Sequence, residues 1–222
     1  MHYPAFLDLE GKRCLVVGGG KVAERKVRAL LKCGAEVVCV SASFIPFLER
    51  LGRSSKIELV SRRLKPETSL ASLLKGMFLV VAATSFPSLN AKVYEACRKR
   101  NLLINVVDDP RHSNFIAPSV VRRGPLAIAV STGGASPAFA KSVREKIAGH
   151  VGPEYGAFLE FMRRERGHIM RWVKDRQRRK RLFEDLVSSG LLNLFKRNDR
   201  GAIRKKYESI LLRYGVRKES LK

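Results

Sequence analysis

Two short stretches carry groups that could do chemistry if a turn or a strand end holds them. In the first, the apolar run Cys14-Leu15-Val16-Val17 stops at Gly18-Gly19-Gly20, and Lys21-Val22-Ala23-Glu24-Arg25-Lys26 follows with helical spacing. Gly18, Gly20 and Ala23 fit the G-x-G-x-x-(G/A) pattern of a strand–turn–helix that holds a pyrophosphate. The first glycine permits a sharp turn, the second lets backbone reach the phosphates, and a small third residue lets helix pack on strand. The helix start adds unpaired N–H groups and the positive end of its dipole. A dinucleotide is the ligand implied, and the alternative is a purely structural turn, since such turns also occur without ligand. In the second stretch, Asp108 and Asp109 follow the apolar run 102–107 and precede Pro110. A carboxylate there could take a proton while hydride leaves to a nicotinamide. Adjacent residues of a strand face opposite ways, so one of the pair at most faces a cleft. The alternative is that the two simply cap a following turn.

Other familiar catalytic sets are missing from the sequence, which has no G-x-S-x-G elbow and no H-E-x-x-H. Tyr94, with Arg98 four residues on, is a near match to Tyr-x-x-x-Lys, and its helix is expected to lie far from the strand ends. His2, His112, His150 and His168 are scattered and read as ordinary surface or structural residues, and no metal cage is expected.

The elements that must position these groups follow from periodicity. Strands are expected at 13–17, 36–40, 57–60, 78–83 and 102–107, with a helix over 22–33 that sets Ala23, Val27, Leu30 and Leu31 on one face and stops at Gly34. A further helix is expected over 90–100. Apolar strands alternating with helices predict an α/β, Rossmann-type domain: a parallel sheet covered on both faces, with ligands at the carboxyl ends of its strands. Those ends are 18–20, 41–43, 84–85 and 108–109. The second strand ends in Ser41-Ala42-Ser43 rather than the usual acid, so backbone or a serine hydroxyl must meet the ribose. No arginine follows directly to hold a 2′-phosphate, which favours NAD over NADP. Beyond Pro110, strand-like runs at 115–121 and 126–131 flank a turn at 122–125, and Ser136 and Pro137 open a helix as N-cap and first residue. From Pro153 onward the chain reads as basic helices, with Phe158, Phe161, Trp172, Leu182, Phe183 and Leu186 spaced for packing.

Composition narrows the class. With 222 residues, 45% of them hydrophobic, the chain has room for one full domain and a smaller one. No run approaches membrane-spanning length and no leader is evident, so a cytoplasmic location is expected. Cys14, Cys33, Cys39 and Cys97 lack C-x-x-C spacing and are expected as buried thiols, not disulfides or zinc ligands. The net charge of +24 is uneven: residues 163–181 hold ten Lys/Arg against Glu165 and Asp175. Such a field attracts nucleic acid, an anionic membrane or a small polyanion, and charge alone does not choose among them. A solvated helix face is the plainer alternative.

Taken together, Gly18-Gly19-Gly20-Lys21-Val22-Ala23-Glu24-Arg25-Lys26, Ala82-Ala83-Thr84, Asn105-Val106-Val107-Asp108, Asn114-Phe115-Ile116-Ala117-Pro118 and Val130-Ser131-Thr132-Gly133-Gly134-Ala135-Ser136-Pro137 resemble the precorrin-2 dehydrogenase and sirohydrochlorin ferrochelatase module of the siroheme-synthase family. The resemblance covers roughly 3–195. It implies an NAD-binding Rossmann domain at 1–111, a dimerisation region at 112–150 and a basic helical domain at 151–222, working as a homodimer. It implies NAD-dependent oxidation of precorrin-2 to sirohydrochlorin, and in some members ferrous-iron insertion to siroheme. The family's aspartate falls on Asp108, and its NAD contacts on Gly18, Gly19, Gly20, Lys21, Val22, Ala42 and Ser43, with Thr84 counted beside them. For chelation, Asp108 and His112 are candidates by proximity. The substrate is a tetrapyrrole rimmed with carboxylates, which makes the positive charge intelligible. The turn with Thr132, Gly133, Gly134 and Ser136, expected to be rich in free N–H groups, becomes a candidate carboxylate nest. Some relatives have serine in place of Thr132, and 196–222 matches poorly. Fused members continue into a methyltransferase for which this chain has no room, so methylation is expected elsewhere. Specific nucleic-acid or membrane binding is not expected, and the competing class is an NAD-sensing nucleic-acid-binding regulator.

Overall fold

Apolar residues on both sides of five short strands dictate a sheet that must be covered on two faces. The computed structural model of the chain describes residues 2–216. It divides into two compact units, Met1–Ala117 and Pro118–Lys222. The last residues of the poorly matching segment, 217–222, lie outside the described residues.

In the first unit the strands are β1 (Arg13–Val17), β2 (Glu36–Ser41), β3 (Glu58–Ser61), β4 (Leu79–Ala82) and β5 (Leu103–Val106), all parallel in the order β3-β2-β1-β4-β5. Their side chains alternate between two cores. Leu15, Val17, Val38, Val40, Val80, Ala82, Ile104 and Val106 share one with Leu89, Val93 and Cys97 of α4 (Pro87–Arg98) and Leu74 of α3 (Ala71–Leu74). Cys14, Val16, Val37, Cys39, Leu79 and Val81 share the other with Ala23, Val27 and Leu30 of α1 (Lys21–Leu31) and Leu48 of α2 (Pro46–Arg53). This is the period-two alternation of a sheet buried on both faces. Burial pushes the thiols up, Cys14 to about 11 and Cys39 and Cys97 to about 12. Two helices escape the sequence reading, α2 and α3, and α4 begins earlier than expected because Pro87 takes its first position.

The chain leaves β1 for β2 and β3 on one side and returns for β4 and β5 on the other. The switch point therefore lies between the carboxyl ends of β1 and β4. Beyond β5 the backbone passes through a 3-10 turn (Pro110–His112) and then runs along the open edge of β5. Asn114 stands in for a sixth strand: its Nδ2 donates to Leu102 O and its Oδ1 accepts from Ile104 N, both at 2.8 Å.

The second unit opens with the antiparallel hairpin β6 (Ser119–Arg123) and β7 (Leu126–Val130). The expected turn at 122–125 shrinks to Gly124-Pro125, since Arg122 and Arg123 pair within the ladder. Helices α5 (Pro137–His150), α6 (Pro153–Trp172), α7 (Arg176–Ser188), α8 (Leu191–Lys196) and α9 (Arg200–Arg213) follow. Ser136 caps α5 by accepting from Phe139 N at 3.1 Å, as its position predicted. The Arg123 guanidinium closes the other end, donating to Val151 O (2.8 Å) and Ala148 O (3.1 Å). Phe158, Phe161, Leu182, Leu186, Tyr207 and Ile210 build the helical core, and Phe183 packs against it. Trp172 was expected to pack but is half exposed at the end of α6. Among the described residues no helix is long and apolar enough to cross a membrane.

Asn114→Ala strips the β5 edge of a donor and an acceptor. We expect it to lower the stability of the first unit by about 1–2 kcal/mol, read as a lower urea midpoint with an unchanged slope.

Candidate active site

Three strand ends meet at the glycine turn, and they meet backbone to backbone. Gly18 has φ +133°, and a side chain there would come within 2.4 Å of the Ala83 carbonyl oxygen beyond β4. A side chain at Gly19 would stand 1.9 Å from the Ser43 carbonyl oxygen beyond β2. The loop after β2 is tied to the same point, with Ile45 N donating to Gly19 O at 3.0 Å and Gly18 N to Val40 O at 2.9 Å. Gly18 takes the turn role that its position suggested. Gly19, which the motif leaves unspecified, is held by packing. A Cβ on Gly20 would meet nothing within 4 Å, so its face is open to an incoming group. Ala23 is fully buried against the sheet.

Helix α1 has no side-chain cap. Its first internal bond runs from Glu24 N to Gly20 O, so among the described residues the N–H groups of Lys21, Val22 and Ala23 have no partner. Three orphan donors at the positive end of an eleven-residue helix, facing an open glycine, fit a pyrophosphate. Ala42 and Ser43 are exposed beside this turn, while the Ser41 hydroxyl is turned inward and accepts from Ser43 N at 3.5 Å. Thr84 is near the turn through Ala83, but its hydroxyl is already engaged. It donates to Asn90 Oδ1 at 2.7 Å and accepts from Phe86 N at 3.2 Å, while Asn90 Nδ2 returns a bond to Thr84 O.

The two aspartates are not the strand neighbours expected from the sequence. β5 ends at Val106, and Asp108 takes the left-handed conformation at φ +61°, which makes the chain turn before either carboxylate. Asp109 does cap the following turn. Its Oδ1 accepts from Arg111 N (3.2 Å) and His112 N (3.4 Å), and its Oδ2 accepts from His112 Nδ1 at 2.6 Å. The His112 hydrogen bond, more than any other influence, holds the Asp109 carboxyl below the ordinary range, against some desolvation. Asp108 remains exposed. The Tyr94 ring meets His112 edge-on at 5.1 Å, so Tyr94 lies beside the end of β5 and not far from the strand ends as the sequence suggested.

Two residues were missed as site members. Lys26, on α1, donates from Nζ to Asn105 Oδ1 at 3.2 Å. Burial, then the charge of Arg25, pushes its ammonium below the ordinary lysine value, while Asp108 pulls the other way. Asn105 is buried and donates in turn to Phe115 O. Its signal was visible as the one polar residue within the apolar run 102–107.

Thr132, Gly133, Gly134 and Ser136 belong to the other compact unit and form a closed turn of their own. The expected wealth of free N–H groups is corrected here. Gly133 N donates to Ser131 Oγ, Ala135 N to Thr132 O and Ser136 N to Thr132 Oγ1, while the Thr132 hydroxyl donates to Ser136 O. Of residues 133–136, Gly134 alone keeps an unpartnered N–H among the described residues. No group of three or more His, Cys, Asp or Glu that could hold a metal occurs among them either.

Two family models match the chain: putative NAD(P)-binding over residues 5–119, and sirohaem biosynthesis protein central over 123–150. Siroheme synthase 1 of Pectobacterium atrosepticum is 40% identical over 201 residues, covering 86% of this chain and 41% of the relative. Siroheme synthase of Escherichia coli is 36% identical over 211 residues, covering 95% and 45%. The chain thus spans less than half the length of these curated relatives. The solved structure of SirC, precorrin-2 dehydrogenase, superposes with TM-score 0.73 at 23% identity, covering 96% of this chain and 99% of that one, and shows the same fold.

A carboxyl held low contributes stability above its ordinary value, about 4, and that contribution is lost as pH falls through the lowered folded value. We therefore expect the protection factors of the Arg111 and His112 amides to hold from neutral pH down to about 4 and to drop in stronger acid. In Asp109→Ala they should be low throughout, with no acid step, as hydrogen exchange followed by NMR would report.

Proposed function

The chain belongs to the putative NAD(P)-binding family and carries the central segment of sirohaem biosynthesis proteins, and on that premise we propose that it oxidises precorrin-2 to sirohydrochlorin with NAD, a step of siroheme biosynthesis. The observation that carries this reading is the pairing, in one sheet, of an open phosphate cradle at Gly20 with an exposed carboxylate, Asp108, just past the end of β5.

NAD, when bound, supplies the acceptor for hydride. The chain's own residues do the rest. Gly18, Gly19 and Gly20 bring backbone to the pyrophosphate, the N–H groups of Lys21 and Val22 hydrogen-bond it, and Ala42 and Ser43 border the adenosine ribose. Thr84 contributes backbone, since its hydroxyl is committed to Asn90. Dehydrogenation removes one hydride and one proton from the macrocycle, and the Asp108 carboxylate takes the proton. Thr132, Gly133, Gly134 and Ser136 bind a substrate carboxylate, with the Gly134 N–H as donor. Residues 112–150 form the dimerisation region between an NAD domain at 1–111 and a helical domain at 151–222, in a cytoplasmic homodimer. Ferrous-iron insertion extends the same reading, with Asp108 and His112 as acceptors of the pyrrole protons. The relatives are siroheme synthases, which lends the nucleic-acid alternative no support.

The test is anaerobic: protein, NAD and enzymatically made precorrin-2 are mixed, the oxidised product is followed by absorbance, and ferrous iron is then added. Asp108→Ala should reduce turnover by at least about a hundredfold while calorimetry finds its NAD affinity within about twofold of wild type. Normal turnover would remove Asp108 from the mechanism. The charge of +24 should also draw in a polycarboxylate substrate. Raising salt from 50 to 300 mM is therefore expected to raise KM for precorrin-2 severalfold with little change in kcat.

A further inference from the structure

The turn after β5 holds a carboxylate–imidazole pair whose geometry fixes the proton on the ring. Asp109 Oδ2 accepts from His112 Nδ1 at 2.6 Å, and a carboxylate has no proton to give, so Nδ1 carries the hydrogen. In the neutral ring the other nitrogen, Nε2, is then a bare acceptor. It has no hydrogen-bond partner among the described residues, and the side chain is 40% exposed, enough for an incoming group to reach it. The pair is held from several sides. Asp109 Oδ1 accepts from Arg111 N and His112 N, Ser113 Oγ donates to Asp109 O at 2.9 Å, and the Tyr94 ring stands edge-on to the imidazole. Capping the turn needs only the two backbone bonds, so the bond to the ring serves something else. We propose that Asp109 is a positioning residue for iron insertion: it fixes the tautomer of His112 that leaves Nε2 free to take a proton, and its charge steadies the imidazolium that results. The inference rests on the iron-insertion reading above and adds the group that makes His112 competent.

The proton balance calls for such a group. When ferrous iron enters the macrocycle, two pyrrole N–H bonds break and two Fe–N bonds take their place, each nitrogen keeping the electron pair of its lost N–H bond. No electron changes hands, and the iron stays ferrous. Two protons leave, and one carboxylate takes one of them. Asp108, exposed just past β5, takes the first, and His112 Nε2, on the same turn, takes the second. Dehydrogenation releases a single proton with its hydride, so Asp108 suffices for it. The two reactions therefore differ in their need for Asp109.

Asp109→Asn tests this without undoing the turn. The amide oxygen still accepts from the Arg111 and His112 N–H groups, so their exchange protection should stay near that of wild type. The amide nitrogen, however, donates to Nδ1 and moves the ring proton to Nε2, which then no longer accepts. Nitrogen-15 NMR of the ring should report that change of tautomer. With sirohydrochlorin and ferrous iron under anaerobic conditions, the rate of insertion above the protein-free rate should fall at least about tenfold, while precorrin-2 oxidation with NAD stays within about twofold of wild type. His112→Ala should lose as much insertion, and the double variant no more than either single one. Insertion that survives Asp109→Asn, loss of insertion without the change of tautomer, loss of both activities together, or a further loss in the double variant overturns the proposal. Insertion by the wild type no faster than without protein sinks the iron-insertion reading and this inference with it, and leaves the dehydrogenation reading standing.

Discussion

The first unit depends on backbone touching backbone where the sheet changes direction. At that point the end of β1 lies against the chain leaving β4 and under the loop leaving β2, with no room for a single methyl group at Gly18 or Gly19. Everything that gives the site its character follows from this crowding. The helix must start at once, so its first donors stay uncapped. Ser41 is folded under the turn, with its hydroxyl beside Gly19. Because Gly20 alone of the three faces open space, whatever binds must approach from that side.

A second constraint acts at the far end of the sheet. β5 is an edge strand, and unpaired edges invite association with other chains. Here the backbone doubles back after Asp108, and Ser113 and Asn114 meet the groups that a neighbouring strand would have met. The reversal needs one residue with positive φ, and Asp tolerates it better than most non-glycine residues. The same residue is thereby pushed out of the strand and left exposed. Its neighbour Asp109 is consumed by the turn, so two adjacent carboxylates end with different duties.

The sheet was legible in the sequence because fully apolar runs such as Leu79-Val80-Val81-Ala82 have few other places to go, and the glycine turn because three glycines between a strand and a helix are hard to use otherwise. What escaped notice depends on distances that sequence order hides. Lys26 gains meaning only when its side chain reaches from α1 to Asn105 on β5. The 132–136 turn looked rich in donors because glycines were counted, whereas the hydroxyls of Ser131 and Thr132 absorb them. Trp172 has the spacing of a core residue yet sits where α6 runs out.

The uncapped start of α1 reaches beyond recognition. Three backbone donors without a partner among the described residues make the native state less favourable than it would be with a capping serine, and a phosphate that answers them favours folded over unfolded chain by mass action. At a hundred times its dissociation constant such a ligand adds about 2.7 kcal/mol. The melting temperature, resistance to proteases and steady-state abundance of this protein in a cell are then coupled to nucleotide supply. A cell short of the dinucleotide would clear the protein sooner, with no dedicated regulator needed.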